Sequence, residues 1–200
     1  MEFSGTFTLE DVTSEEVWLS LSDPVMVKQA LPGCQYLVHV DDPDDVDFDE
    51  LAATAGDEDP PILPDAEPED VADRAFVEDG HYATRVQIGV GSVKPTFDTV
   101  VTIDRRDFPE MDASGSGSAS DSSFELDSGM TLVEHEDEGT VDIDWRAETH
   151  VFGRIARMGQ RVVNPVANRV VNRFFDQVQT QLSDVGDESS GLTGRIKELV

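Results

Sequence analysis

Apolar and polar residues alternate along most of the chain, and this pattern predicts an antiparallel sheet. In residues 1–9, Phe3, Phe7 and Leu9 alternate with polar side chains, as in a half-buried strand. Residues 35–40 form a second such run, and five more follow after residue 80. The inward rows of these five runs begin at Tyr82, Phe97, Met111, Phe124 and Val141. Because the other face of each run is polar, we predict seven strands in a strongly curved antiparallel sheet with one wet face.

Two short helices are predicted between the first two strands. Ser14 is the expected N-cap of the first helix, and residues 17–21 supply its apolar stripe. Pro24 suits the first turn of the second helix, because proline is tolerated there but not in a helix interior. Residues 32–33 (Pro-Gly) should end that helix before the second strand begins.

A long helix is predicted over about residues 152–182, where apolar residues recur at helical spacing. They are Ile155, Met158, Val162, Val166, Val170, Phe174, Val178 and Leu182. Pro165 is expected to kink this helix, since it removes one internal hydrogen bond. The broad apolar arc must cover the concave face of the sheet. The expected fold class is therefore α+β, with a curved sheet wrapped around one long C-terminal helix.

The order of these elements resembles the helix-grip superfamily, which includes START domains and polyketide cyclases. The N-terminal part of the resemblance lies in residues 19–34 (LSLSDPVMVKQALPGC). Three later segments are similar to the CoxG family of carbon monoxide dehydrogenase: residues 81–97 (HYATRVQIGVGSVKPTF), 113–118 (ASGSGS) and 152–159 (FGRIARMG). The similar segments cover roughly residues 1–40 and 80–182. The resemblance implies a helix-grip fold, and its motifs are structural rather than catalytic.

The helix-grip superfamily binds apolar ligands in a cavity between sheet and helix, so the resemblance implies a cavity here. A straight helix does not follow a curved sheet over its whole length, and Gly115, Gly117 and Gly159 remove side-chain volume along the expected contact. We expect the lining to be Phe97, Met111, Phe124, Trp145, Met158 and Val162. Taken singly, each of these residues is better explained as ordinary core, where most buried apolar side chains belong.

The chain is strongly acidic, with a net charge of −29 from 43 Asp and Glu against 14 Lys and Arg. Such a charge repels nucleic acids, so we exclude them as partners. Lysine is scarce among the basic residues, and acids occur on most of the predicted strands. Both features favour a halophilic protein, adapted to a cytosol of very high salt. The alternative is an ordinary acidic protein with one very acidic loop.

Two segments lie outside the expected core of the domain, which should span residues 1–182. Residues 41–80 are rich in acids and proline, and we expect a solvated, largely disordered insertion loop. Replacing residues 42–79 by a short turn should then leave the domain folded. Residues 183–200 are expected to be a flexible linker and a short amphipathic tail. The apolar side of the tail would comprise Leu192, Ile196, Leu199 and Val200.

Five arginines lie on the predicted long helix, where they stand out in so acidic a chain. They are Arg154, Arg157, Arg161, Arg169 and Arg173. One interpretation is that they pair with carboxylates at the edge of the sheet. The other is that they contact an anionic surface, either lipid headgroups or an acidic partner protein.

The sequence contains no recognisable catalytic or metal-binding motif. His39, His81, His135 and His150 are scattered, and none has an acid at the spacing of a helical metal site. The single Cys34 excludes an internal disulfide and is expected to be a small buried residue rather than a nucleophile. Neither a leader sequence nor a membrane span is recognisable. We therefore expect a soluble, cytoplasmic protein, and the resemblance implies peripheral association at the inner face of the cell membrane.

The resemblance implies a non-catalytic accessory protein with no metal and no resident cofactor. Its expected role is to recruit or mature a molybdenum hydroxylase of the carbon monoxide dehydrogenase type at the membrane, with a menaquinone or lipid bound in the cavity. One alternative is a small-molecule enzyme like the polyketide cyclases, which would need His150, Glu134 or Tyr82 to point into the cavity. Another is a purely structural interaction module with a filled core.

The charge of −29 leads to a prediction about salt. Because salt screens the repulsion between carboxylates, the protein should unfold cooperatively in dilute buffer and refold in about 1 M potassium chloride. The measurement is the Tm by circular dichroism over a series of potassium chloride concentrations. A Tm that does not change between dilute buffer and molar salt would contradict the halophilic interpretation.

Overall fold

Seven antiparallel strands form one sheet in this computed structural model, which describes residues 1–55, 59–135, 139–188, 195–196 and 199. The strands are β1 (Glu2–Glu10), β2 (Cys34–Val40), β3 (His81–Gln87), β4 (Thr96–Asp107), β5 (Glu110–Ala119), β6 (Ser122–Glu134) and β7 (Thr140–Gly153). Their order is β1-β7-β6-β5-β4-β3-β2, so β2 to β7 form a meander and β1 pairs with β7 at its far edge. The predicted sheet is confirmed.

The helices lie on the concave face of this sheet and at its ends. Those of the described residues are α1 (Ser14–Ser22), α2 (Pro24–Ala30), α3 (Phe48–Thr54), α4 (Pro68–Asp73), α5 (Arg154–Met158) and α6 (Gln160–Glu188). The two short helices α1 and α2 connect β1 to β2 and pack against α6. Two short helices after the first strand and one long C-terminal helix confirm the predicted helix-grip fold.

The inward rows of the strands face the helices, as the alternation predicts. Phe7 lies beside Ile143, which lies beside Leu132 on the next strand. Gly5 faces Trp145 across the β1–β7 pair. A Cβ atom at Gly5 would lie 3.2 Å from the Trp145 ring nitrogen, so the glycine makes room for the indole.

Side-chain caps fix where α1 and α2 begin. Thr13, one residue before the expected Ser14, caps α1. Its hydroxyl accepts a hydrogen bond from the backbone N–H of Glu16 at 3.3 Å, and the Glu16 carboxylate accepts one from the N–H of Thr13 at 2.9 Å. Asp23 caps α2 by accepting from the N–H of Val25 at 2.9 Å. These caps satisfy backbone donors that a helix start leaves unpaired.

The long helix begins later than the sequence pattern predicts. The strand β7 continues to Gly153, and α5 follows as a separate short helix. At Gly159 the backbone adopts a φ of 77°, which breaks the helix before α6 starts. The prediction of one helix from residue 152 was therefore wrong at its N-terminal end. It was also wrong at the other end, because α6 runs to Glu188 through positions expected to be a linker.

Apolar side chains between sheet and helices form two clusters. The larger one, the main core, joins the inner rows of the sheet to α1, α2 and the second half of α6. Its buried members include Leu9, Trp18, Ile143, Val178 and Leu182. The smaller one, the small apolar cluster, joins α5 and the first half of α6 to the neighbouring strand ends. It comprises Val90, Phe97 and Ile155, which are buried, and Ile88, Val93, Ala119, Phe124, Val151, Met158, Val162, Val163 and Val166, which are half-buried.

The acidic segment between β2 and β3 is not the solvated loop that its composition predicts. It forms the helices α3 and α4, and Leu63, Val71 and Phe76 are 1%, 0% and 7% exposed within the main core. The apolar residues that lie among the acids and prolines of this segment are therefore buried in the main core. Deleting residues 42–79 would remove these side chains from the core, so the expectation that the domain tolerates this deletion is withdrawn.

A buried ion pair joins this segment to the rest of the domain, in addition to the ion pairs of Asp59 with Lys28 and of Asp49 with Arg85. Asp23 is fully buried, and both of its carboxylate oxygens accept hydrogen bonds from Arg74, at 2.9 and 2.7 Å. Arg74 also donates to the carbonyl of Pro61 at 2.9 Å. Next to this pair, the N–H of Phe76 donates to the carbonyl of Ser22 at 2.7 Å. The only arginine of the segment thus binds the N-cap of α2.

The described part of the C-terminal tail packs against the domain. Ile196 is 0% exposed within the main core. Arg195 forms ion pairs with Glu67, at 2.7 Å, and with Glu69, and its hydrogen bonds lower the pKa of Glu69. Of the expected apolar side of the tail, Leu192 and Val200 lie outside the described residues. At Arg195 and Ile196 the tail is a docked segment rather than a free amphipathic one.

The buried ion pair generates a prediction about stability. Arg74→Met should lower the free energy of unfolding by about 3 kcal/mol, because it leaves the Asp23 charge buried without its partner. The matched control is Arg105→Met, since Arg105 pairs with Asp107 and Glu110 at the surface and should lose much less stability. Denaturant unfolding in high salt measures both. Equal losses in the two variants would show that the Asp23 pair does not hold the segment.

Candidate functional site

An apolar hollow of about 300 Å³ lies where the chain passes from β7 into α5 and α6. Its lining comprises Met1, Thr149, His150, Val151, Phe152, Ala156, Gly159, Gln160 and Val163. Most of these residues are apolar, and the polar ones come from the end of β7 and the first position of α6. The hollow therefore offers an apolar surface with a few hydrogen-bonding groups at its edge, which is the usual make-up of a small-molecule site.

The helix break at Gly159 leaves this space open. Apart from the chain neighbours of Gly159, no atom of the described residues lies within 4 Å of the position that a Cβ atom would occupy there. The lining residues Val151 and Val163 also belong to the small apolar cluster. The hollow is therefore continuous with the half-buried side chains under the first half of α6.

The structure divides the six predicted lining residues between the two apolar clusters. Phe97, Phe124, Met158 and Val162 belong to the small apolar cluster, where the rings of Phe97 and Phe124 meet edge to face with centroids 5.3 Å apart. Met111 is buried in the main core, and the half-buried Trp145 packs against that core. Within the described part of the chain, none of the six lines the hollow at the helix break.

The glycines of β5 do not leave the space that the sequence suggests. A Cβ atom at Gly117 would lie 2.5 Å from the Phe124 ring, so this ring already occupies the volume. At Gly115 a Cβ atom would lie 2.9 Å from the carbonyl oxygen of Val100. The expectation of an opening at these two positions was therefore wrong, and the space lies on the β7 side of the helix.

Sequence reasoning missed the residues that do line the hollow. Val151 continues the inward row that begins at Val141 and lies two residues before the end of β7. Val163 flanks the apolar arc of the long helix. Phe152 is 50% exposed, which is unusual for so large an apolar side chain at the end of a strand. Gly159 was among the glycines expected to remove volume, whereas the missed signal was Gly153, which separates α5 from β7.

Four of the five helix arginines are exposed and unpaired within the described residues. Arg154 pairs with Asp121 at 3.4 Å. Arg157, Arg161, Arg169 and Arg173 are exposed, and none of them forms an ion pair with another described residue. Pairing with the edge of the sheet therefore accounts for Arg154 alone.

The groups that a catalytic site would need are mostly engaged elsewhere. The Tyr82 hydroxyl is buried and accepts a hydrogen bond from the N–H of Val77 at 2.9 Å. Glu134 is exposed and accepts from the Ser14 hydroxyl at 3.2 Å. His150 lies at the rim of the hollow, with its side chain 58% exposed and 3.9 Å from Glu148. Of the three candidates, only His150 lies at this hollow.

Cys34 has the environment of a structural residue. Burial raises the pKa of its thiol, which disfavours the reactive thiolate. The sulfur lies 3.3 Å from the carbonyl of Tyr36 and 3.4 Å from the Thr84 hydroxyl. Among the residues that the structure describes, no cluster of His, Cys, Asp or Glu has the arrangement of a metal site.

A second hollow, of about 420 Å³, lies on the outward face of the sheet. It is lined by five carboxylates, by Arg146 and by Phe3, Ser4, Ala113, Ser128 and Ala147. Arg146 crosses Gly129 to pair with Asp112. The carboxylates make this hollow unfit for an apolar molecule, because burying them without partners is costly.

No helix in the described ranges combines the length and the apolar character that a membrane span requires.

Solved structures share the fold of this chain at low sequence identity. A conserved protein from Geobacillus kaustophilus is 19% identical, with a TM-score of 0.66 over 92% of this chain and 95% of that one. The ZhuI aromatase/cyclase from Streptomyces sp. R1128 is 10% identical, with a TM-score of 0.55 over 90% and 92%. A START superfamily protein from Mycobacterium smegmatis is 11% identical, with a TM-score of 0.52 over 100% and 99%. No curated protein matches the sequence.

One family model matches more than half of the chain. It describes CoxG, a component of carbon monoxide dehydrogenase, and it covers residues 73–183. The matched region runs from the end of the acidic segment through β3–β7, α5 and most of α6, so it contains the whole β7–α6 side of the hollow. The chain belongs to the CoxG family of carbon monoxide dehydrogenase.

Proposed function

We propose that this protein binds a quinone or lipid at the hollow beside Gly159 and serves as a non-catalytic accessory protein. The enzyme it recruits or matures would be a molybdenum hydroxylase of the carbon monoxide dehydrogenase type, at the inner face of the cell membrane. The observation that carries the proposal is the apolar hollow between β7 and the broken helix, inside the region that matches the family.

The size of the hollow suits part of a long apolar molecule. Its 300 Å³ is at the lower end of the range of ligand pockets. The small apolar cluster continues behind it, and Phe124, Met158 and Val162 are only half-buried there. We propose that these side chains move apart to admit the rest of the ligand, since fully packed core residues would resist such movement. Phe97 would form the far wall of this enlarged site.

Met111 and Trp145 would have a less direct role. They lie in the main core, on the same concave face of the sheet. We propose that they border the inner end of the site when it is occupied, as the sequence pattern suggests. Trp145 would then report ligand binding through its fluorescence.

Asn164 supplies a polar group close to this site in the chain. It follows Val163, and its side-chain oxygen is buried without a hydrogen-bond partner among the described residues. An unpaired buried polar atom is unfavourable. Because this oxygen can only accept a hydrogen bond, a ligand with a hydroxyl donor on an otherwise apolar frame would relieve this cost, and a lipid hydroxyl or the reduced, quinol form of a quinone fits that description.

The proposal of a non-catalytic role rests on the same lining. His150 is the single titratable side chain among the described residues that line the hollow, and it is exposed at the rim. Acid–base chemistry on a buried substrate needs a group that reaches the reacting atom with a shifted pKa. Binding and presentation of a ligand need no such group.

Val163→Phe should test the ligand site, because it places a larger side chain into the hollow. Titration with a short-chain menaquinone, followed by quenching of tryptophan fluorescence, should give a Kd raised at least about tenfold. The matched control is Val77→Phe, at a residue 59% exposed and away from the hollow, where the Kd should not change. Unaltered binding in Val163→Phe, with both variants folded, would contradict the proposed site.

A further inference from the structure

A row of arginines on α5 and α6 has no carboxylate partner among the described residues. Arg157 lies on α5, and Arg161, Arg169 and Arg173 follow on α6 after the break at Gly159; these four residues are here called the arginine face. From residue 154 to residue 175 the chain contains no Asp or Glu. The four side chains are exposed, and the described residues offer them no carboxylate.

The remaining arginines show how unusual this is. Those with carboxylate partners are Arg74, Arg85, Arg105, Arg146, Arg154 and Arg195. The guanidinium of Arg106 is half-buried instead and stacks on the ring of Trp18 at 5.5 Å. With 43 acidic residues in the chain, partners for four more arginines would be easy to provide. Their absence from the described surroundings points to a partner outside the chain.

An exposed aromatic side chain lies at the start of the arginine face. Phe152 is 50% exposed and lines the hollow, only five residues before Arg157. Guanidinium groups bind phosphate oxygens in pairs, and aromatic side chains favour the boundary between headgroups and acyl chains. A protein surface with both features, next to an apolar hollow, fits a lipid bilayer better than a protein partner with a continuous acidic surface.

We propose that the arginine face docks on an anionic phospholipid bilayer with Phe152 inserted into it. The hollow beside Gly159 then faces the lipid, and an apolar ligand passes between bilayer and protein without crossing water. This inference rests on the proposed ligand-binding function for its biological meaning, but the docking surface itself stands on charge and exposure. Arg157 and Arg161, which are nearest to Phe152 in the chain, carry the main phosphate contacts.

The net charge of −29 makes the salt dependence of this docking distinctive. At low ionic strength the whole protein is repelled by an anionic membrane, because the Debye length of about 30 Å at 0.01 M lets distant carboxylates act. At 1 M the Debye length is about 3 Å, and only groups in contact with phosphate contribute. Apolar insertion of Phe152 is also favoured by salt. Binding to anionic vesicles should therefore strengthen as salt rises, opposite to an ordinary basic membrane protein.

Vesicle flotation tests the proposal directly. In about 2 M potassium chloride, the protein should float with phosphatidylglycerol vesicles and not with phosphatidylcholine vesicles. The double variant Arg157→Gln/Arg161→Gln should lose at least about tenfold in binding. Its control is Arg105→Gln/Arg146→Gln, which changes the net charge equally on the sheet. Phe152→Ala should also weaken binding, while Val77→Ala, at another exposed apolar residue, should not.

Several results would overturn the docking surface. Equal binding to both kinds of vesicle, or equal losses in the two arginine variants, would exclude phosphate recognition by the arginine face. Binding that weakens with salt, over the range in which circular dichroism shows the folded protein, would do the same. A third result would be that the protein floats with neither kind of vesicle. If Arg157→Gln/Arg161→Gln then impaired its association with a carbon monoxide dehydrogenase-type enzyme, the arginine face would be a protein interface.

The ligand site and the docking surface can be tested independently of each other. Titration with a short-chain menaquinone without vesicles measures the hollow alone, and Arg157→Gln/Arg161→Gln should keep the wild-type Kd there. Vesicle binding by a protein that takes up no menaquinone and no phosphatidylglycerol would support the docking surface and contradict the ligand site. Menaquinone binding without flotation would support the ligand site and contradict the docking surface.

Discussion

The long helix α6 packs against the concave face of the sheet, and its two halves are buried there unequally. In the second half of α6, Phe175, Val178 and Leu182 are 6%, 1% and 0% exposed, because α1, α2 and β1 close around them. In the first half, the apolar residues that face the sheet stay half-buried. The break at Gly159 sets where this looser half begins. The buried contacts of α6 are thus concentrated in its C-terminal half, and the open space lies beside its N-terminal half.

The acid-rich composition of the chain affects both ends of α6. At the tight end, the buried pair of Asp23 and Arg74 joins α2 to the segment that supplies Leu63, Val71 and Phe76 to the main core. Arg195 returns to the same segment through Glu67 and Glu69. At the loose end, the arginines on α6 remain without described partners. An arginine that finds a carboxylate here fastens the fold, and an arginine that does not is available for binding.

Much of the fold could be predicted from the sequence. The rows that begin at Tyr82, Phe97 and Phe124 alternate with a period of two, and that period alone decides which face they bury. The acidic segment could not be predicted in this way, because Leu63 and Val71 lie among acids and prolines without such a period, and only tertiary contacts reveal their burial. A hollow between sheet and helix was predicted, and the hollow beside Gly159 lies at a different position. The sequence pattern suggests empty space at Gly117, whereas the ring of Phe124 fills it, and the real opening depends on the φ angle of Gly159, which the pattern does not report.

The central claim is that the space beside Gly159 holds an apolar molecule in the cell. The most direct measurement is mass spectrometry of an organic-solvent extract of the protein, purified from its own cells in high salt without detergent. The account predicts a quinone or lipid in stoichiometric amount with the wild-type chain, and a strongly reduced amount with Val163→Phe. A wild-type extract with no more quinone or lipid than that of the filled variant would contradict the account.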